Sequence, residues 1–313
     1  MRVAIVGAGA VGGVFGAMLA RAGHAVSLLT RGDSLEAVRA RGLSLTNAAG
    51  EVYETGPLAA SDDPAALGVA DLVLVAVKSW QVAALAPALA PLVGPGTLVV
   101  PVQNGVEAGE ALLDGLGPSA AHAVAFGVCH VLASRDRPGH VRSGGGPPQL
   151  TVGEPRGGPS PRLERLADAL RAAGIVVVIS PEIRVELWGK LLFVEPLGSV
   201  GAVTGVPMGV MRSVPETRAL LEQAMGEVLA VAAGQGVRLP GDPVAAALAR
   251  VDGMPASATT SMHRDLLEGR PSELDEQTGA VVRLGHRAGV ACPVHDVLYA
   301  CLLPRHRASA SRA

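Results

Sequence analysis

Short apolar runs alternate with longer stretches of helical periodicity over the first 180 residues of the chain. Runs this short and this uniformly apolar are typical of strands that helices cover on both faces, as in a parallel sheet. Ala/Leu-rich segments of helical length, such as 80–92 and 107–113, lie between them. The pattern predicts an α/β fold with a doubly wound sheet, whose strands we assign to residues 2–6, 25–29, 71–77, 97–102 and 123–130.

The content of Gly and Pro rises between residues 140 and 161. We predict an antiparallel hairpin in this stretch, with strands at 141–143 and 149–152 around the Gly/Pro run 144–148. A helix at 163–173 and a last strand at 175–179 follow, and they complete the first part of the chain.

Strand periodicity ends at Pro181. The polar residues 304–313 are expected to be frayed. We therefore divide the chain into an α/β domain at 1–180 and an all-helical domain at 181–313. Within the second domain we predict helices at residues 184–194, 216–233, 244–250, 272–288 and 295–303.

The composition excludes several classes of protein. Apolar residues make up 49% of the chain, which allows a large core, and the formal net charge of −2 argues against a nucleic-acid surface. The chain has no apolar run of membrane-spanning length and no signal-peptide pattern, so we expect a soluble cytoplasmic protein without a membrane partner.

The cysteines and histidines give no pattern of metal ligands. Cys129, Cys292 and Cys301 lie far apart, which excludes a cysteine-based zinc site and fits a reducing compartment. His295 is close in sequence to Cys292 and to Asp296, but a fourth ligand is missing and a proline separates the cysteine from the histidine. We therefore expect no metal site.

A glycine-rich turn follows the first predicted strand. Gly7, Gly9 and Gly12 have the GxGxxG spacing, between a strand and a helix. The first glycine permits the turn, the second lets a pyrophosphate approach the backbone, and the third lets helix and strand pack closely. The turn therefore predicts a Rossmann-type dinucleotide-binding domain, with the phosphates at the N-terminus of the helix.

The end of the second strand indicates which dinucleotide binds. An acidic residue at this point binds the 2′-hydroxyl of NAD, whereas an arginine accommodates the 2′-phosphate of NADP. The chain has Arg31 here, and Asp33 lies slightly beyond it. We therefore predict NADPH as the cofactor, with Arg31 beside its phosphate.

Lysine and asparagine are rare in this chain, and their positions are informative. Of 26 Lys and Arg residues, only Lys78 and Lys190 are lysines, and the only asparagines are Asn47 and Asn104. Lys78 follows the third of the predicted strands and Asn104 the fourth, at the edge where open α/β sheets bind ligands. Lys78 is suited to an anionic group, and Asn104 to the nicotinamide amide or the substrate.

Lys190 lies in a predicted helix of the second domain, among mostly apolar neighbours. A lysine there either extends its amine to water or faces a cleft. In a cleft, loss of hydration lowers the pKa of a lysine toward the range of a general acid.

Several short segments together resemble the ketopantoate reductase family, and the likeness covers essentially the whole chain. The joint order and spacing are more specific than any one segment. The resemblance implies NADPH-dependent reduction of a 2-oxo acid, 2-dehydropantoate, to a 2-hydroxy acid in pantothenate biosynthesis. The segments are Gly7–Gly12, Thr30-Arg31, Lys78–Gln81, Gln103–Gly105, Trp188–Leu191, Thr260–Asp265 and Gly269–Asp275.

The resemblance also implies roles for individual residues. Lys190 resembles the family's catalytic lysine, and Glu273 resembles its partner carboxylate. Ser261 resembles the residue that binds the substrate carboxylate. Lys78 and Asn104 resemble the pair beside the nicotinamide. Without the resemblance, the sequence favours a solvated carboxylate near a helix start as the interpretation of Glu273.

The chain departs from the family where the family has asparagines. The positions four and eight residues after Lys190, which share its helix face, are Val194 and Gly198, and two further positions are Met208 and Ala258. We expect weaker preference for ketopantoate, because hydrogen bonds to a substrate hydroxyl discriminate sharply against analogues that lack it. Glu195 and Ser199 lie one residue out of phase and are candidates to replace the missing contacts.

Three alternatives to ketopantoate reduction stay open. One is reduction of a more apolar 2-oxo acid, and another is reduction of an imine. The third is a protein that binds NADPH without catalysis, against which the presence of Lys190 and Glu273 argues. A homodimer through the helical domain also stays open, because no helix face stands out as an interface.

Overall fold

The computed structural model describes residues 1–310, which divide into two compact units. The first unit comprises residues 1–103 and 108–183, and the second comprises residues 104–107 together with the chain from 184 onward. The division lies a few residues beyond the boundary expected after residue 180. The short segment 104–107 is a part of the second unit that the sequence pattern does not indicate.

Strands are confined to the first unit in the part of the chain that the structure describes. In chain order they are β1 (Arg2–Val6), β2 (Ala25–Leu29), β3 (Ser44–Thr46), β4 (Val52–Glu54), β5 (Ala59–Ser61), β6 (Leu72–Val75), β7 (Leu98–Pro101), β8 (Phe126–Arg137), β9 (His140–Gly153) and β10 (Val176–Ile179). The helices of this unit are α1 (Ala10–Arg21), α2 (Asp33–Arg41), α3 (Val82–Leu85), α4 (Ala108–Leu116) and α5 (Pro161–Ala172).

The first sheet is entirely parallel, with the strand order β5-β2-β1-β6-β7. The central strand β1 is buried on both faces, because both its odd and its even positions from Val3 to Val6 are inaccessible to solvent. The chain runs from β1 toward β2 and β5 and then crosses to β6, so a topological switch point lies between β1 and β6. The predicted α/β fold with a doubly wound sheet is confirmed.

The second sheet corrects the assignment of the residues after 120. It has the order β10-β9-β3-β4, with β8 antiparallel to β9. The predicted strand at 123–130 therefore belongs mainly to this sheet and not to the parallel one. The hairpin turns at Pro138-Gly139, where Gly139 has a φ of +79°, and the predicted turn at 144–148 is wrong.

The Gly/Pro run that indicated a turn forms a bulge in β9. Four residues, 145–148, lie opposite the single residue Val131, between the pairs His130–Gln149 and Leu132–Gly144. Prolines lack the N–H that a ladder needs, and Gly145 has a φ of +72°, so the run interrupts pairing without reversing the chain.

Helices are the only regular secondary structure of the second unit within its described residues. Its helices are α6 (Ile183–Thr204), α7 (Met208–Ser213), α8 (Pro215–Gly234), α9 (Pro243–Asp252), α10 (Ser261–Leu267), α11 (Thr278–Ala288) and α12 (Pro293–Ala310). The apolar face of α8, which includes Leu221, Met225 and Val228, lies at the centre of its core. None of the helices within residues 1–310 is long and apolar enough to cross a membrane.

Several predictions for this unit need correction, and the helix expected at 184–194 runs on to Thr204. The helix expected at 272–288 begins only at Thr278, because residues 273–277 form turns in which Gln277 has non-helical backbone angles. The chain expected to fray from 304 stays helical to Ala310, and residues 311–313 lie outside the described residues. The short helices α7 and α10 are additional.

Close helix packing in the second unit gives a prediction for two glycines. A Cβ at Gly285 on α11 would lie 2.5 Å from Sγ of Cys292 and 3.2 Å from Cγ2 of Val231, whereas a Cβ at Gly226 on α8 would meet nothing within 4 Å. We expect Gly285→Ala to lower the free energy of unfolding by about 1–3 kcal/mol through overpacking. Gly226→Ala should raise it by about 0.5–1 kcal/mol, since alanine favours helix.

Urea denaturation of both variants beside the unmodified chain measures the two effects. Equal effects of the two substitutions would contradict the packing of α11 against α8 and the segment around Cys292.

Candidate active site

The glycine-rich turn has the geometry of a phosphate cradle. Gly7 has a φ of +105°, which favours glycine, and a Cβ at Gly12 would lie 2.1 Å from the carbonyl oxygen of Gly7. A Cβ at Gly9 would meet no atom within 4 Å, so the space beside the N-cap of α1 is open. The residues fit a pyrophosphate at the N-terminus of the helix.

Other predicted residues follow strands at the same edge of the parallel sheet. Arg31 comes after β2 and Lys78 after β6, and both side chains are exposed. Nζ of Lys78 lies 5.6 Å from the ring centre of Trp80, and the backbone N–H of Lys78 donates to Oε1 of Gln81. Parallel pairing therefore brings the cradle, Arg31 and Lys78 to one edge.

Gln103 is buried at this edge, and sequence reasoning gave it no role of its own. Its Nε2 donates to the carbonyl oxygens of Val75, at 2.8 Å, and of Val77, at 2.9 Å. These two bonds tie the segment before Lys78 to the end of β7. The Gln103 amide thus holds the backbone directly before Lys78 against the end of β7, directly before Asn104.

Asn104 and Glu273 meet within the second unit. Nδ2 of Asn104 donates to Oε2 of Glu273 at 3.2 Å, and Nε2 of Gln277 lies 3.4 Å from the same oxygen. Glu273 is only 8% exposed, so it is not a solvated helix carboxylate. A Cβ at Gly105 would lie 2.7 Å from the carbonyl oxygen of Glu276, which explains why glycine follows Asn104.

Lys190 lies half-buried on α6, in the same unit as Glu273. Two turns further along this helix face, a Cβ at Gly198 would lie 3.1 Å from Oγ1 of Thr260 and 2.6 Å from Cε of Met262. Thr260 is the N-cap of α10, and Ser261 is the first residue of that helix. The face of α6 that carries Lys190 therefore packs on the helix start that carries Ser261.

The positions of the missing family asparagines have become largely apolar packing positions. Met208 is fully buried, Gly198 is buried against Met262, and the N–H of Met208 donates to the carbonyl oxygen of Ala258. Val194 is half-buried on the Lys190 face. None of these side chains has a hydrogen-bonding group to offer a substrate.

Glu195 and Ser199 do not take over the role of those asparagines. Both are completely buried, and Oε2 of Glu195 lies 2.7 Å from Nε2 of His295, while Oγ of Ser199 donates to the backbone of its own helix. Their side chains point into the helical core because they are one residue out of phase with the Lys190 face. The hypothesis that either contacts substrate is thereby corrected.

Glu276 is a half-buried carboxyl near Glu273 that sequence reasoning missed. Its Oε2 is buried and has no hydrogen-bond partner among the described residues. Burial, reinforced by the charges of Asp275 and Glu273, raises the pKa of Glu276 to about 7. No group of three or more His, Cys, Asp or Glu side chains within residues 1–310 is arranged to hold a metal ion.

Comparisons with known proteins agree with this arrangement. Residues 3–157 match the family model described as "Ketopantoate reductase PanE/ApbA", and residues 182–306 match the model of its C-terminal part. A curated 2-dehydropantoate 2-reductase from Mesorhizobium japonicum is 32% identical, over 96% of this chain and 96% of its own.

Solved structures share the whole fold. A PanE/ApbA family ketopantoate reductase from Ralstonia eutropha JMP134 is 35% identical, with a TM-score of 0.88 over 99% of this chain and 100% of its own. A D-mandelate dehydrogenase, solved with NADH and anilino(oxo)acetate, has a TM-score of 0.87 over 99% of both chains. At 22% identity, the second similarity is one of fold alone.

The half-buried carboxyl of Glu276 gives a prediction about stability and pH. Its pKa is higher in the folded chain than the ordinary value of 4.5, so ionisation destabilises the fold, and the penalty grows as pH rises from about 4.5 through 7. After a discount for its partial exposure, we expect Glu276→Gln to raise the free energy of unfolding by about 1–2 kcal/mol near pH 8. Near pH 5 the effect should be small.

Chemical denaturation at the two pH values tests this prediction. Glu222→Gln, at an exposed position of α8, is the control for loss of a surface carboxylate. A stabilisation by Glu276→Gln that is the same at both pH values would rule out ionisation of Glu276 as its cause.

Proposed function

The chain belongs to the ketopantoate reductase family, and is thus an oxidoreductase that uses a nicotinamide cofactor; on that premise we propose that it reduces 2-dehydropantoate, or a close 2-oxo acid, with NADPH. The observation that carries this proposal is the hydrogen bond from Asn104 to buried Glu273, in the same unit as Lys190. It joins two residues that are 169 positions apart in the chain, both of which the family resemblance singles out.

The choice of NADPH rests on the sheet edge of the first unit. Gly7, Gly9 and Gly12 would hold the pyrophosphate, and exposed Arg31 after β2 would bind the 2′-phosphate. Lys78 and Asn104 would lie beside the nicotinamide. When bound, the cofactor supplies the hydride that is transferred to C2 of the substrate.

Lys190 would supply the proton. As an ammonium ion it polarises the carbonyl oxygen of the 2-oxo acid, stabilises the negative charge that develops there, and donates a proton to it. As C2 is reduced, negative charge develops on the carbonyl oxygen, and the proton from Lys190 would complete the hydroxyl. The resulting amine regains a proton from solvent.

The remaining residues would orient the substrate. Ser261, exposed at the first position of α10, would bind the carboxylate, which the N-terminus of a helix favours. Glu273, buried and held by Asn104 and Gln277, would orient Lys190 or accept a hydrogen bond from a substrate hydroxyl. A homodimer through the helical unit stays a prediction.

A second candidate is reduction of a more apolar 2-oxo acid. It is favoured by the packing of Met208 and Gly198 into the core and by the absence of polar groups at Val194 and Ala258. Replacing hydrogen-bonding groups with apolar ones removes the penalty on a substrate that lacks the hydroxyl.

Two substrates that differ only by a hydroxyl group distinguish these candidates. Ketopantoate and 3,3-dimethyl-2-oxobutanoate share the 2-oxo acid and both methyl groups, but only ketopantoate carries a hydroxyl. We expect values of kcat/KM within about 100-fold of each other, against about 10⁴ or more for a site that binds the hydroxyl. NADPH should be preferred to NADH, and Arg31→Ala should remove most of that preference.

Steady-state assays with each pair of substrate and cofactor measure these ratios. A preference for ketopantoate of about 10⁴ would favour the first candidate and contradict loss of hydroxyl recognition. Activity with neither acid, in protein that binds NADPH, would contradict both candidates.

Removal of Lys190 tests the assignment of the proton donor. We expect Lys190→Ala to lower kcat about 10²–10⁴-fold, the usual contribution of a general acid, while the Kd of NADPH changes less than about threefold. Lys190→Arg keeps the charge but holds its proton too tightly, so it should also be slow. Glu186→Ala, at an exposed position of the same helix, is the matched control.

Rapid-mixing kinetics and fluorescence titration with NADPH separate the two effects. Turnover by Lys190→Ala at the rate of the unmodified enzyme would exclude Lys190 as the acid.

A further inference from the structure

Three charged side chains form a largely buried cluster in the helical unit, which includes the Glu195–His295 pair described above. The His295 side chain on α12 is completely buried between Glu195 of α6 and Glu227 of α8. Its Nε2 lies 2.7 Å from Oε2 of Glu195, and its Nδ1 lies 2.6 Å from Oε2 of Glu227. We call these three residues the histidine clamp, because they join three helices.

The clamp requires a positively charged histidine. A neutral imidazole has one N–H donor and one bare nitrogen, so only the doubly protonated ring can donate to both carboxylates. Despite the opposing effect of burial, the two carboxylates raise the pKa of His295 to about 9. Asp296, the next residue in the chain, lies 3.3 Å from His286 of α11, and the charges of Glu227 and Asp296 act on the nearby thiol of Cys292.

Glu227 also fixes the start of α12. Its two carboxylate oxygens accept hydrogen bonds from the backbone N–H groups of Val294, at 2.8 Å, and of His295, at 2.9 Å. These groups have no partner inside the helix, so a carboxylate at this point caps it. The His295 ring is therefore held at its backbone as well as at both nitrogens.

Glu195 connects the clamp to the helix that carries Lys190. It lies five residues after Lys190 on α6, directly before Pro196. A proline inside a helix has no N–H to donate and removes one backbone hydrogen bond, which weakens the helix at that point. The clamp thus supports α6 at the point where the proline removes a backbone hydrogen bond of the helix.

Stability alone does not account for a cluster of this kind. A buried ion pair is often no more stabilising than apolar side chains of the same volume, because removing charges from water is costly. Oε1 of Glu195 is, in addition, buried without a hydrogen-bond partner among the described residues. What the four directional hydrogen bonds of the clamp add is a unique arrangement of the helices.

We infer that His295 is a positioning residue for Lys190: clamped between Glu195 and Glu227, it fixes the orientation of the part of α6 that presents the lysine. His295 itself touches neither substrate nor cofactor. The inference rests on the proposed role of Lys190 as the acid.

The test uses the fact that the chain has only two lysines. In protein labelled with ¹³C-lysine, NMR follows the titration of Lys190, and Lys78 of the first unit is the internal reference. We expect Glu195→Gln and His295→Gln to lower kcat at least about tenfold while the Kd of NADPH changes less than about twofold. The Lys190 titration should shift by at least about 0.5 pH unit, and that of Lys78 should not.

The pH dependence of Tm distinguishes loss of the charged interaction from loss of packing alone. Because the His295 pKa is raised above its unfolded value of 6.5, the contribution of the clamp to stability is complete below about pH 6.5 and is lost as pH rises through about 9. Without the charge of Glu195, the pKa of His295 falls. In Glu195→Gln the alkaline loss of Tm should therefore occur at lower pH than in the unmodified protein.

A double variant separates positioning from stability. Glu195→Met combined with His295→Leu replaces the charges by apolar groups and leaves Glu227 to cap α12. If this variant is as stable as the unmodified chain but has the reduced kcat and the shifted Lys190 titration, the clamp positions the lysine. If kcat and the Lys190 titration are unchanged in folded protein of all three variants, whatever their Tm, the inference is wrong.

These results are distinct from a failure of the proposed function. Unmodified enzyme that reduces no 2-oxo acid, in which the variants nevertheless shift the Lys190 titration, would contradict the proposed reaction and support the clamp. Active enzyme in which the Lys190 titration does not respond would support the reaction and overturn the clamp.

Discussion

The side chain of Gln103 provides two hydrogen bonds on which much of the candidate site depends. They tie the ends of β6 and β7 together at the carboxyl edge of the parallel sheet, directly before Lys78. The next residue, Asn104, already belongs to the helical unit, where it donates to Glu273. The boundary between the two units therefore falls directly after Gln103 in the chain. These bonds add to the backbone hydrogen bond from Val102 to Val75 and hold the chain directly before Lys78 and Asn104.

Ionisable groups removed from solvent in the helical unit have two different outcomes. Glu195 and Glu227 share a histidine that stays protonated because both carboxylates accept from it. Glu276 has no such partner for Oε2, so burial and neighbouring carboxylates raise its pKa instead. Both results follow from the same cost of removing charge from water. The charge of protonated His295 offsets that cost for Glu195 and Glu227, whereas Glu276 keeps its proton to higher pH.

The apolar residues at Gly198 on α6 and Met208 on α7 have a consequence for helix packing. Gly198 leaves room for Met262 and Thr260, so α6 and the start of α10 approach closely. Met208 fills the core in a position where an asparagine would need a partner for its amide. The residues that pack these helices closely are therefore the same ones at which the family resemblance implies asparagine.

Several elements were predictable because their pattern is local. The strands β1 and β2 and the glycine turn have the predicted bounds or geometry, since a buried parallel strand needs a continuous apolar run and Gly7 needs a positive φ. The residues 145–148 have the composition of a turn but form a bulge, because glycine and proline interrupt strand pairing in turns and bulges alike. The segment 273–277 has helical composition, but its side chains make tertiary contacts and the helix begins only at Thr278.

The sequence by itself determined the class of fold, the place of the dinucleotide cradle and the identity of the rare Lys and Asn residues, because each depends on spacing along the chain or on residue type. Only the tertiary structure decided which distant side chains meet. Asn104 bonds to Glu273, and Glu195 bonds to His295 rather than facing a substrate. A shift of one position on a helix turns a side chain by about 100 degrees, so whether Glu195 faces the site or the core depends on how α6 is rotated against α8 and α12. That rotation is set by packing between residues far apart in the chain, which no local pattern records.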